Sequence, residues 1–313
     1  MRALVIGGGG FIGSHLCDAL VDADETVVCV DNFSMGTRDN IAHLEKNNKF
    51  ILYEIDAACM DNLETVFKAE RPDYVFHLAA NSDIRESALK PEIEFKNTYT
   101  TTFQILSCMR KYGVQKIFFA STSAVYGDKK GIVLDENTPG LMPISYYGAA
   151  KMGSEALISA FAYMNDMKAL IFRFPNVIGP RLTHGVIYDF IKKLKNDSNC
   201  LQILGDGRQT KPYMYVSDLI EAIMQLKNMT KQGVTLYNIG TEGSSSVTAI
   251  ANIVCEEMGL SNVKYRYTGG NGGWKGDVPM FKYSTEKILA TGWRAKYTSD
   301  EAVRKTVRDN ISV

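Results

Sequence analysis

The sequence predicts an α/β fold: a doubly wound parallel sheet followed by a smaller C-terminal α/β lobe. Three observations support this prediction. Short apolar runs alternate with helical segments through the first half, a glycine-rich turn follows the first run, and the pattern changes near Pro175. Strands separated by helices form right-handed βαβ units, which assemble into a parallel sheet. We therefore expect one domain over residues 1–175 and the lobe over residues 176–313, with some segments interleaved between them.

The elements of the first half follow from the spacing of apolar residues. Short apolar runs predict strands, and apolar residues that recur every three or four positions predict helices. The predicted strands are Ala3–Ile6, Thr26–Val30, Phe50–Glu54, Tyr74–His77, Lys116–Ala120 and Ala169–Arg173. The predicted helices are Gly13–Val21, Asn62–Glu70, Glu92–Tyr112 and Tyr147–Met164.

Beyond Pro175, turn-rich pieces alternate with three segments of helical periodicity. These segments are Ile187–Leu194, Ser217–Lys227 and Val247–Glu257. The pattern is typical of a smaller lobe, which we expect to cover the ligand edge of the sheet and to bind the substrate.

Composition narrows the range of partners. The 35 basic residues balance the 35 acidic ones, so the chain lacks the overall charge of a nucleic-acid or membrane-surface binder. No apolar run is long enough to span a bilayer, and four glycines interrupt the one segment that resembles a signal peptide. The six cysteines lie far apart without metal-ligand spacing, so we expect reduced thiols, no metal site and a cytoplasmic location.

The glycine-rich turn lies between the first predicted strand and the first predicted helix, which is the context that a dinucleotide fingerprint requires. Gly7 permits a tight turn, Gly10 lets the backbone approach a pyrophosphate, and Gly13 lets helix and strand pack closely. The helix then begins at Phe11 and Ile12, where free N–H groups face the phosphates. The turn therefore predicts a Rossmann-type nucleotide-binding domain.

An acidic residue ends the second predicted strand. Asp31 follows Gly13 by 18 residues, and Asn32 comes next. A carboxylate at this position accepts hydrogen bonds from the adenosine ribose and repels a 2′-phosphate. We therefore expect NAD rather than NADP, with Asp31 and Asn32 both contacting it.

A tyrosine and a lysine share one face of the helix predicted over Tyr147–Met164. Tyr147 and Lys151 are four residues apart, whereas Tyr146 points away from Lys151. A free tyrosine, with a pKa of about 10, is a poor base at neutral pH. A nearby ammonium and the positive charge of oxidised nicotinamide lower that pKa. The hydroxyl side chains of residues 121–123 directly follow the preceding predicted strand. They therefore lie at the C-terminal end of a parallel strand, which is where such sheets bind ligands.

The glycine turn, Asp31, the 121–127 segment and the Tyr147–Lys151 pair occur in the order and spacing of extended short-chain dehydrogenase/reductases. The chain resembles the NAD-dependent epimerase/dehydratase family over essentially all of its 313 residues. Within that family it is most similar to the group of UDP-glucose (UDP-galactose) 4-epimerases.

The resemblance implies roles for individual residues. Tyr147 matches the general base, Lys151 the residue that holds the nicotinamide ribose, and Thr122 the hydroxyl that bonds the 4-hydroxyl of the sugar. Further positions match residues around the cofactor: Asp56, Ala57, Leu78, Ala79, Ala80 and Asn97.

The resemblance also implies a site for the UDP-sugar. Asn176 matches an asparagine that bonds a UDP phosphate, and His184 and Val186 fall in the loop over the substrate. Lys211 stands where the family usually has a phosphate-binding arginine, and Lys275 adjoins Trp274 at the position of a second one. Lysine provides a point charge rather than a bidentate fork.

Phe281 matches a pocket residue beside the 2-substituent of the sugar. The alternative is a core residue that is turned away from the pocket, because the neighbouring Lys282 and Tyr283 depart from better-known relatives.

The choice among reactions depends on the residues after Thr122. Relatives that dehydrate or decarboxylate carry an acid there, whereas this chain has Ser123 and Ala124. We therefore expect NAD-dependent 4-epimerisation of UDP-glucose or UDP-galactose through a 4-keto intermediate. The alternatives are a UDP-N-acetylglucosamine or UDP-glucuronate 4-epimerase, a 4-ketosugar reductase, and a non-catalytic NAD-binding regulator. Relatives pair through helices matching 97–112 and 147–164, which implies a homodimer.

Overall fold

The computed structural model of the chain describes residues 1–81, 84–129, 131–270, 276, 278 and 281–311. Its strands are β1 (Arg2–Ile6), β2 (Thr26–Asp31), β3 (Phe50–Glu54), β4 (Tyr74–His77), β5 (Lys116–Ala120), β6 (Val133–Leu134), β7 (Lys168–Arg173), β8 (Asn176–Ile178), β9 (Cys200–Ile203), β10 (Thr210–Lys211), β11 (Tyr213–Tyr215), β12 (Gly233–Asn238), β13 (Ser245–Ser246), β14 (Lys264–Tyr267) and β15 (Lys282–Tyr283). Its α-helices are α1 (Phe11–Asp22), α2 (Met60–Glu70), α3 (Ile84–Leu89), α4 (Glu92–Glu94), α5 (Thr101–Tyr112), α6 (Tyr146–Met164), α7 (Val186–Asn196), α8 (Val216–Leu226), α9 (Val247–Glu257), α10 (Glu286–Leu289) and α11 (Ser299–Ile311).

The first of two compact units comprises Met1–Gly127, Gly140–Arg173 and Ala222–Tyr237. It contains a seven-stranded sheet in the order β12-β7-β5-β4-β1-β2-β3. The six strands from β7 to β3 pair in parallel, as in the register of Leu4 with Val28 and Val75. The direction of winding reverses between β1 and β4, which is where sheets of this class bind ligands. The predicted Rossmann-type sheet is confirmed.

Apolar side chains fill both faces of this sheet. On one face, Leu4 and Ile117 join a core cluster with Phe67 of α2, Ile105 of α5 and Ile158 of α6. On the opposite face, the rings of Phe76 of β4 and Phe118 of β5 stack at 4.5 Å. A parallel sheet covered on both faces holds its strand ends rigidly, and those ends carry the loops of the site.

The predicted helix over Glu92–Tyr112 is wrong as a single regular helix. The structure replaces its centre by a π-helical segment, Phe95–Thr100, between α4 and α5. The Thr101 hydroxyl donates to the carbonyl of Lys96, five residues earlier, at 3.1 Å. Turns of this kind are frequent at functional sites, and periodicity alone does not reveal them.

The second unit comprises Asp128–Pro139, Phe174–Glu221 and Asn238–Val313. Helices α7, α9 and α11 pack against one another in it. Short parallel pairs, β8 with β11 and β9 with β14, lie in the same unit. Along the chain the two units interleave, and β12, which the sequence did not predict, belongs to the large sheet.

Among the described residues, no helix combines the length and apolar character that crossing a bilayer requires.

Candidate active site

Backbone packing accounts for two of the three fingerprint glycines, Gly7, Gly10 and Gly13. Gly7 has a φ of +89°, and a Cβ there would lie 2.6 Å from the backbone nitrogen of Ala79. A Cβ on Gly13 would overlap the carbonyl oxygen of Gly7. Gly10 differs, because a Cβ there would meet the Gly7 oxygen at 3.3 Å. Gly7 and Gly13 are therefore required by the fold, whereas a Cβ at Gly10 would need a shift of only a few tenths of an ångström.

The start of α1 provides donors for a phosphate. Gly10 occupies the N-cap and has no side chain to accept from the first N–H groups, and the first turn carries no acidic residue. A helix end in this condition attracts anions through its free N–H groups and its partial positive charge. The turn and the helix end together fit the pyrophosphate of a dinucleotide.

Asp31 is tied to the same turn. Its Oδ2 accepts from the backbone nitrogen of Gly9 and its Oδ1 from that of Phe33, both at 2.8 Å. Burial raises the pKa of Asp31, and the backbone hydrogen bonds oppose this rise. Each carboxylate oxygen can still accept another hydrogen bond, which fits ribose hydroxyls. Asn32 instead accepts from the backbone nitrogen of Ser34 at 3.0 Å.

The segment after β4 lies at the reversal of the sheet. The backbone nitrogens of Leu78 and Ala79 both donate to the carbonyl of Ile6, at 2.9 and 2.8 Å. Leu78, Ala79 and Ala80 are partly exposed, whereas β4 before them is buried. These residues therefore form an accessible surface beside the glycine turn.

A further group of predicted cofactor residues follows β3. Asp56 accepts from the backbone nitrogen of Ala58 at 2.9 Å, and its Oδ2 pairs with Lys96 Nζ at 3.1 Å. Ala57 is buried, and Asn97 lies in the same π-helical segment as Lys96. The ion pair connects the end of β3 to that segment, a link that the sequence did not suggest.

Tyr147 and Lys151 face each other at the start of α6. Ser145 caps this helix by accepting from the backbone nitrogen of Gly148 at 3.1 Å. Lys151 Nζ lies 5.9 Å from the centre of the Tyr147 ring, whereas Tyr146 is 53% exposed. Lys151 itself is buried and donates to the carbonyl of Ala120, the last residue of β5, at 2.6 Å.

Thr122 completes this group. It directly follows the end of β5 and caps the 3₁₀ turn Ser123–Tyr126, where its hydroxyl accepts from the nitrogen of Ala124 at 3.2 Å. Its side chain is also hydrogen-bonded to Tyr147. The three predicted catalytic side chains therefore meet at the carboxyl end of β5.

The pKa of Tyr147 differs from the value that the sequence led us to expect. The sequence predicts a lowered pKa for Tyr147, but burial raises it, the charge of Glu94 raises it further, and only the Thr122 hydrogen bond opposes them. Burial likewise lowers the pKa of Lys151 to about 8, while Glu94 and Glu155 act in the opposite direction. Removal from water disfavours the charged form of each group, and this is the largest effect on both side chains.

Sequence reasoning missed a buried ion pair behind the site. Arg173 donates to both carboxylate oxygens of Glu155, at 3.0 and 2.6 Å, and Ser121 donates to the same carboxylate. The guanidinium lies 4.8 Å from the Tyr126 ring centre. These contacts fix the end of β5, from which Thr122 follows. The sequence offered one indication of this ion pair, because Glu155 lies four residues after Lys151 and so on the same face of the same helix.

Apart from Thr122, which lies in the first unit, the predicted substrate residues that the structure describes lie in the second unit. Asn176 is exposed at the start of β8, and Val186 begins α7. His184 is exposed two residues before that helix, and Lys211 is half-buried in β10.

Phe281 is half-buried and directly precedes β15, with its ring edge-on to Tyr283 at 6.0 Å. Its partial exposure is compatible with a pocket residue. Lys275 and Trp274 lie outside the described residues.

Comparison with known proteins identifies the family. The model of the NAD-dependent epimerase/dehydratase family matches residues 3–240. The chain belongs to this family. A solved structure of a UDP-galactose 4-epimerase is 38% identical with a TM-score of 0.88, over 100% of this chain and 99% of that one.

Two sequence relatives differ in the reaction that their names give. A Methanocaldococcus jannaschii protein, named provisionally as a UDP-glucose 4-epimerase, is 33% identical over 310 residues, which cover 97% of this chain and 96% of that protein. Human dTDP-D-glucose 4,6-dehydratase is 29% identical over 318 residues, which cover 98% of this chain and 89% of that protein. Family membership thus establishes an NAD-dependent enzyme of the epimerase/dehydratase class.

The cofactor is NAD, and we expect it to copurify with the protein. The glycine turn, the uncapped end of α1 and Asp31 provide matching groups for its pyrophosphate and ribose. Acid extraction followed by chromatography should therefore yield NAD or NADH in a near-stoichiometric amount. Recovery of NADP instead would contradict the role assigned to Asp31.

Proposed function

We propose that the chain catalyses the NAD-dependent 4-epimerisation of a UDP-hexose, UDP-glucose or UDP-galactose, through a 4-keto sugar. The observation that carries this proposal is the meeting of Tyr147, Thr122 and Lys151 at the end of β5. After Thr122 come Ser123 and Ala124, where dehydrating and decarboxylating relatives carry an acid. Similarity to UDP-galactose 4-epimerase supports the same choice.

The residues of the chain perform the proton transfer. When bound, NAD supplies reversible hydride exchange at C4 of the sugar. Tyr147 accepts the proton of the 4-hydroxyl, either directly or through the Thr122 hydroxyl to which it is hydrogen-bonded. Because burial raises the pKa of Tyr147, the phenolate depends on nearby positive charge. Lys151 provides one such charge, and the oxidised nicotinamide ring would provide the other when NAD is bound.

NMR of the purified protein with UDP-hexoses and no added cofactor tests this proposal. An epimerase converts UDP-glucose and UDP-galactose into each other until they reach equilibrium, with no net use of NADH. A non-catalytic regulator would leave both sugars unchanged, and in a parallel sample with added NADH or NADPH a 4-ketosugar reductase would consume the cofactor. Either result would contradict the epimerase assignment.

Three polar side chains are proposed to anchor the nucleotide. Asn176 and Lys211, with Lys275, are assigned to the two phosphates of UDP. Asn176 is exposed and therefore accessible to a ligand. Lysine binds phosphate as a point charge, so a weaker geometric constraint is expected here than in relatives with arginine.

Phe281 sets the expected choice of sugar. A benzyl group beside the sugar's 2-substituent clashes with an acetamido group, and overpacking costs about 1–3 kcal/mol. We expect a preference of roughly 5- to 150-fold for UDP-glucose over UDP-N-acetylglucosamine. The variant Phe281→Ser should reduce that preference. Measurement of kcat/KM for both sugars with both proteins decides the matter, and equal wild-type activity on the N-acetyl sugar would overturn the role of Phe281.

We also infer a homodimer formed through α5, α6 and the π-helical segment. These elements expose large apolar side chains, including Phe95 at 65%, Phe103 at 45% and Met164 at 76%. Burial of such a surface against a second copy removes apolar area from water. Light scattering of the protein in solution tests this inference. The cytoplasmic location expected from cysteine usage stays a prediction.

A further inference from the structure

A buried asparagine in the connection between β2 and β3 is not among the residues assigned to the cofactor. Asn40 is 9% exposed and ends a 3₁₀ turn, Arg38–Asn40. Its Nδ2 donates to the carbonyl oxygen of Gly9 in the glycine turn at 3.0 Å, although the two residues are 31 positions apart in the sequence. A buried amide is costly unless it is hydrogen-bonded, so this contact explains why the side chain lies in the interior.

The same carbonyl group has a second donor in the backbone. The nitrogen of Thr37 donates to the Gly9 oxygen at 3.1 Å. Gly36 packs directly on this peptide, because a Cβ there would lie 2.6 Å from the carbonyl carbon and oxygen of Gly9. The backbone nitrogen of Gly9 in turn donates to Asp31 Oδ2 at 2.8 Å. Residues 31–40 therefore hold both backbone polar groups of Gly9.

The peptide between Gly9 and Gly10 connects these contacts to the start of α1. Residues 7–10 are all glycine, the residue with the most conformational freedom to lose on folding. The carbonyl of Gly9 and the N–H of Gly10 belong to one trans peptide and point in opposite directions. Fixing the carbonyl therefore also fixes this N–H, which donates to the Gly7 carbonyl at 3.3 Å. Because Gly10 is the N-cap of α1, the same peptide determines where the helix end assigned to the phosphates begins.

We propose that Asn40 is a positioning residue, which holds the Gly9–Gly10 peptide in the orientation that binds the pyrophosphate of NAD. Without the amide, Thr37 still donates to the Gly9 carbonyl, but the peptide rotates more easily because both of its residues are glycines. NAD then has to order the turn when it binds, and a ligand that orders its own site binds more weakly. This role concerns the cofactor alone and does not depend on which sugar the enzyme converts.

The variant Asn40→Ala removes the amide, and its effect is measured on the enzyme with NAD bound. Isotope-labelled NAD is added in excess, and mass spectrometry follows the release of the unlabelled NAD. One hydrogen bond contributes about a factor of 2 to 12 in affinity, and such differences lie mostly in the dissociation rate. We therefore expect NAD to dissociate roughly 2- to 12-fold faster than from wild type. An unchanged dissociation rate would overturn the role of Asn40.

The variant Asn40→Asp separates the hydrogen bond from the space that the side chain fills. Aspartate has nearly the shape of asparagine, but at about pH 8 its carboxylate is ionised and cannot donate. If the hydrogen bond matters, Asn40→Asp should release NAD at least as fast as Asn40→Ala. If the side chain only fills space, Asn40→Asp should behave as wild type, and that result would contradict the proposal.

A second asparagine in the same connection provides the matched control. Asn48 is exposed, so neither Asn48→Ala nor Asn48→Asp should change the release of NAD. Asn48→Asp alters the net charge as Asn40→Asp does, and therefore measures the effect of that change alone. Release as fast in the Asn48 variants as in the Asn40 variants would mean that the effect is not local to the glycine turn.

Hydrogen exchange of the backbone amides is a measurement that does not depend on the release of NAD. In Asn40→Ala, the amides of Gly9 and Gly10 should exchange faster, while β1 and β2 keep the protection of wild type. Faster exchange throughout the sheet would show that Asn40 stabilises the whole fold and would refute a positioning role.

Wild-type protein provides the test if the Asn40 variants do not fold. The contacts of Gly9 are made within the chain, so the turn should be ordered before NAD binds. After removal of NAD, the amides of Gly9 and Gly10 should therefore remain protected from hydrogen exchange. Unprotected amides at these two positions would equally refute the proposal.

Discussion

Replacing Tyr147 with phenylalanine should lower kcat for epimerisation by about a hundred- to ten-thousand-fold, the usual contribution of a general base. The ring remains in place beside Lys151, so the fold and the NAD content should stay close to wild type. The hydroxyl that accepts the proton and bonds Thr122 is lost. Steady-state kinetics with UDP-galactose, beside a thermal melt and an NAD assay, measure all three properties.

The neighbouring tyrosine provides a matched control. Tyr146 is 53% exposed, and Tyr146→Phe should leave the chemical step nearly unchanged. Activity of Tyr147→Phe within about threefold of wild type would exclude Tyr147 as the base, since that is far below the expected effect.

The variant Gly13→Ala should lose NAD and stability together. Its Cβ would overlap the carbonyl oxygen of Gly7, so the turn and α1 must separate. Overpacking of this kind costs about 1–3 kcal/mol, and each 1.4 kcal/mol is about tenfold in affinity. We therefore expect NAD affinity roughly 5- to 150-fold weaker and a melting temperature several degrees lower, measured by calorimetry and thermal unfolding.

Gly10→Ala separates binding from folding. A Cβ at Gly10 meets the Gly7 oxygen at 3.3 Å, so little of the protein must move. The melting temperature of this variant, measured without cofactor, should stay near wild type while the affinity for NAD falls. Equal thermal stability of Gly13→Ala and wild type would mean that helix and strand do not need Gly13 for close packing.

The local pattern of apolar residues was sufficient to predict much of the fold. The apolar runs predicted β1 to β5 and β7 within one or two residues, because strand periodicity is a property of neighbouring residues. Strand β12 was not predicted, since its place in the sheet depends on pairing with a distant segment. The π-helical segment was not predicted either, because the periodicity of apolar residues does not distinguish it from a regular α-helix.

Some features of the candidate site could likewise be predicted from the sequence, and others could not. The spacing of the glycines and of Tyr147 and Lys151 can be read from the sequence. It is informative because helix geometry places residues four apart on one face. The sequence therefore determined the fold class, the nucleotide turn and the tyrosine–lysine pair by itself.

Tertiary structure decided the electrostatics of that pair. Desolvation sums over every segment that covers a side chain, and the segments that bury Lys151 lie far apart in the sequence. The sequence suggested that a nearby ammonium and oxidised nicotinamide lower the pKa of Tyr147, whereas burial raises it. The charge of Glu94 raises it further, and Glu94 had no motif to mark it because its burial depends on tertiary packing.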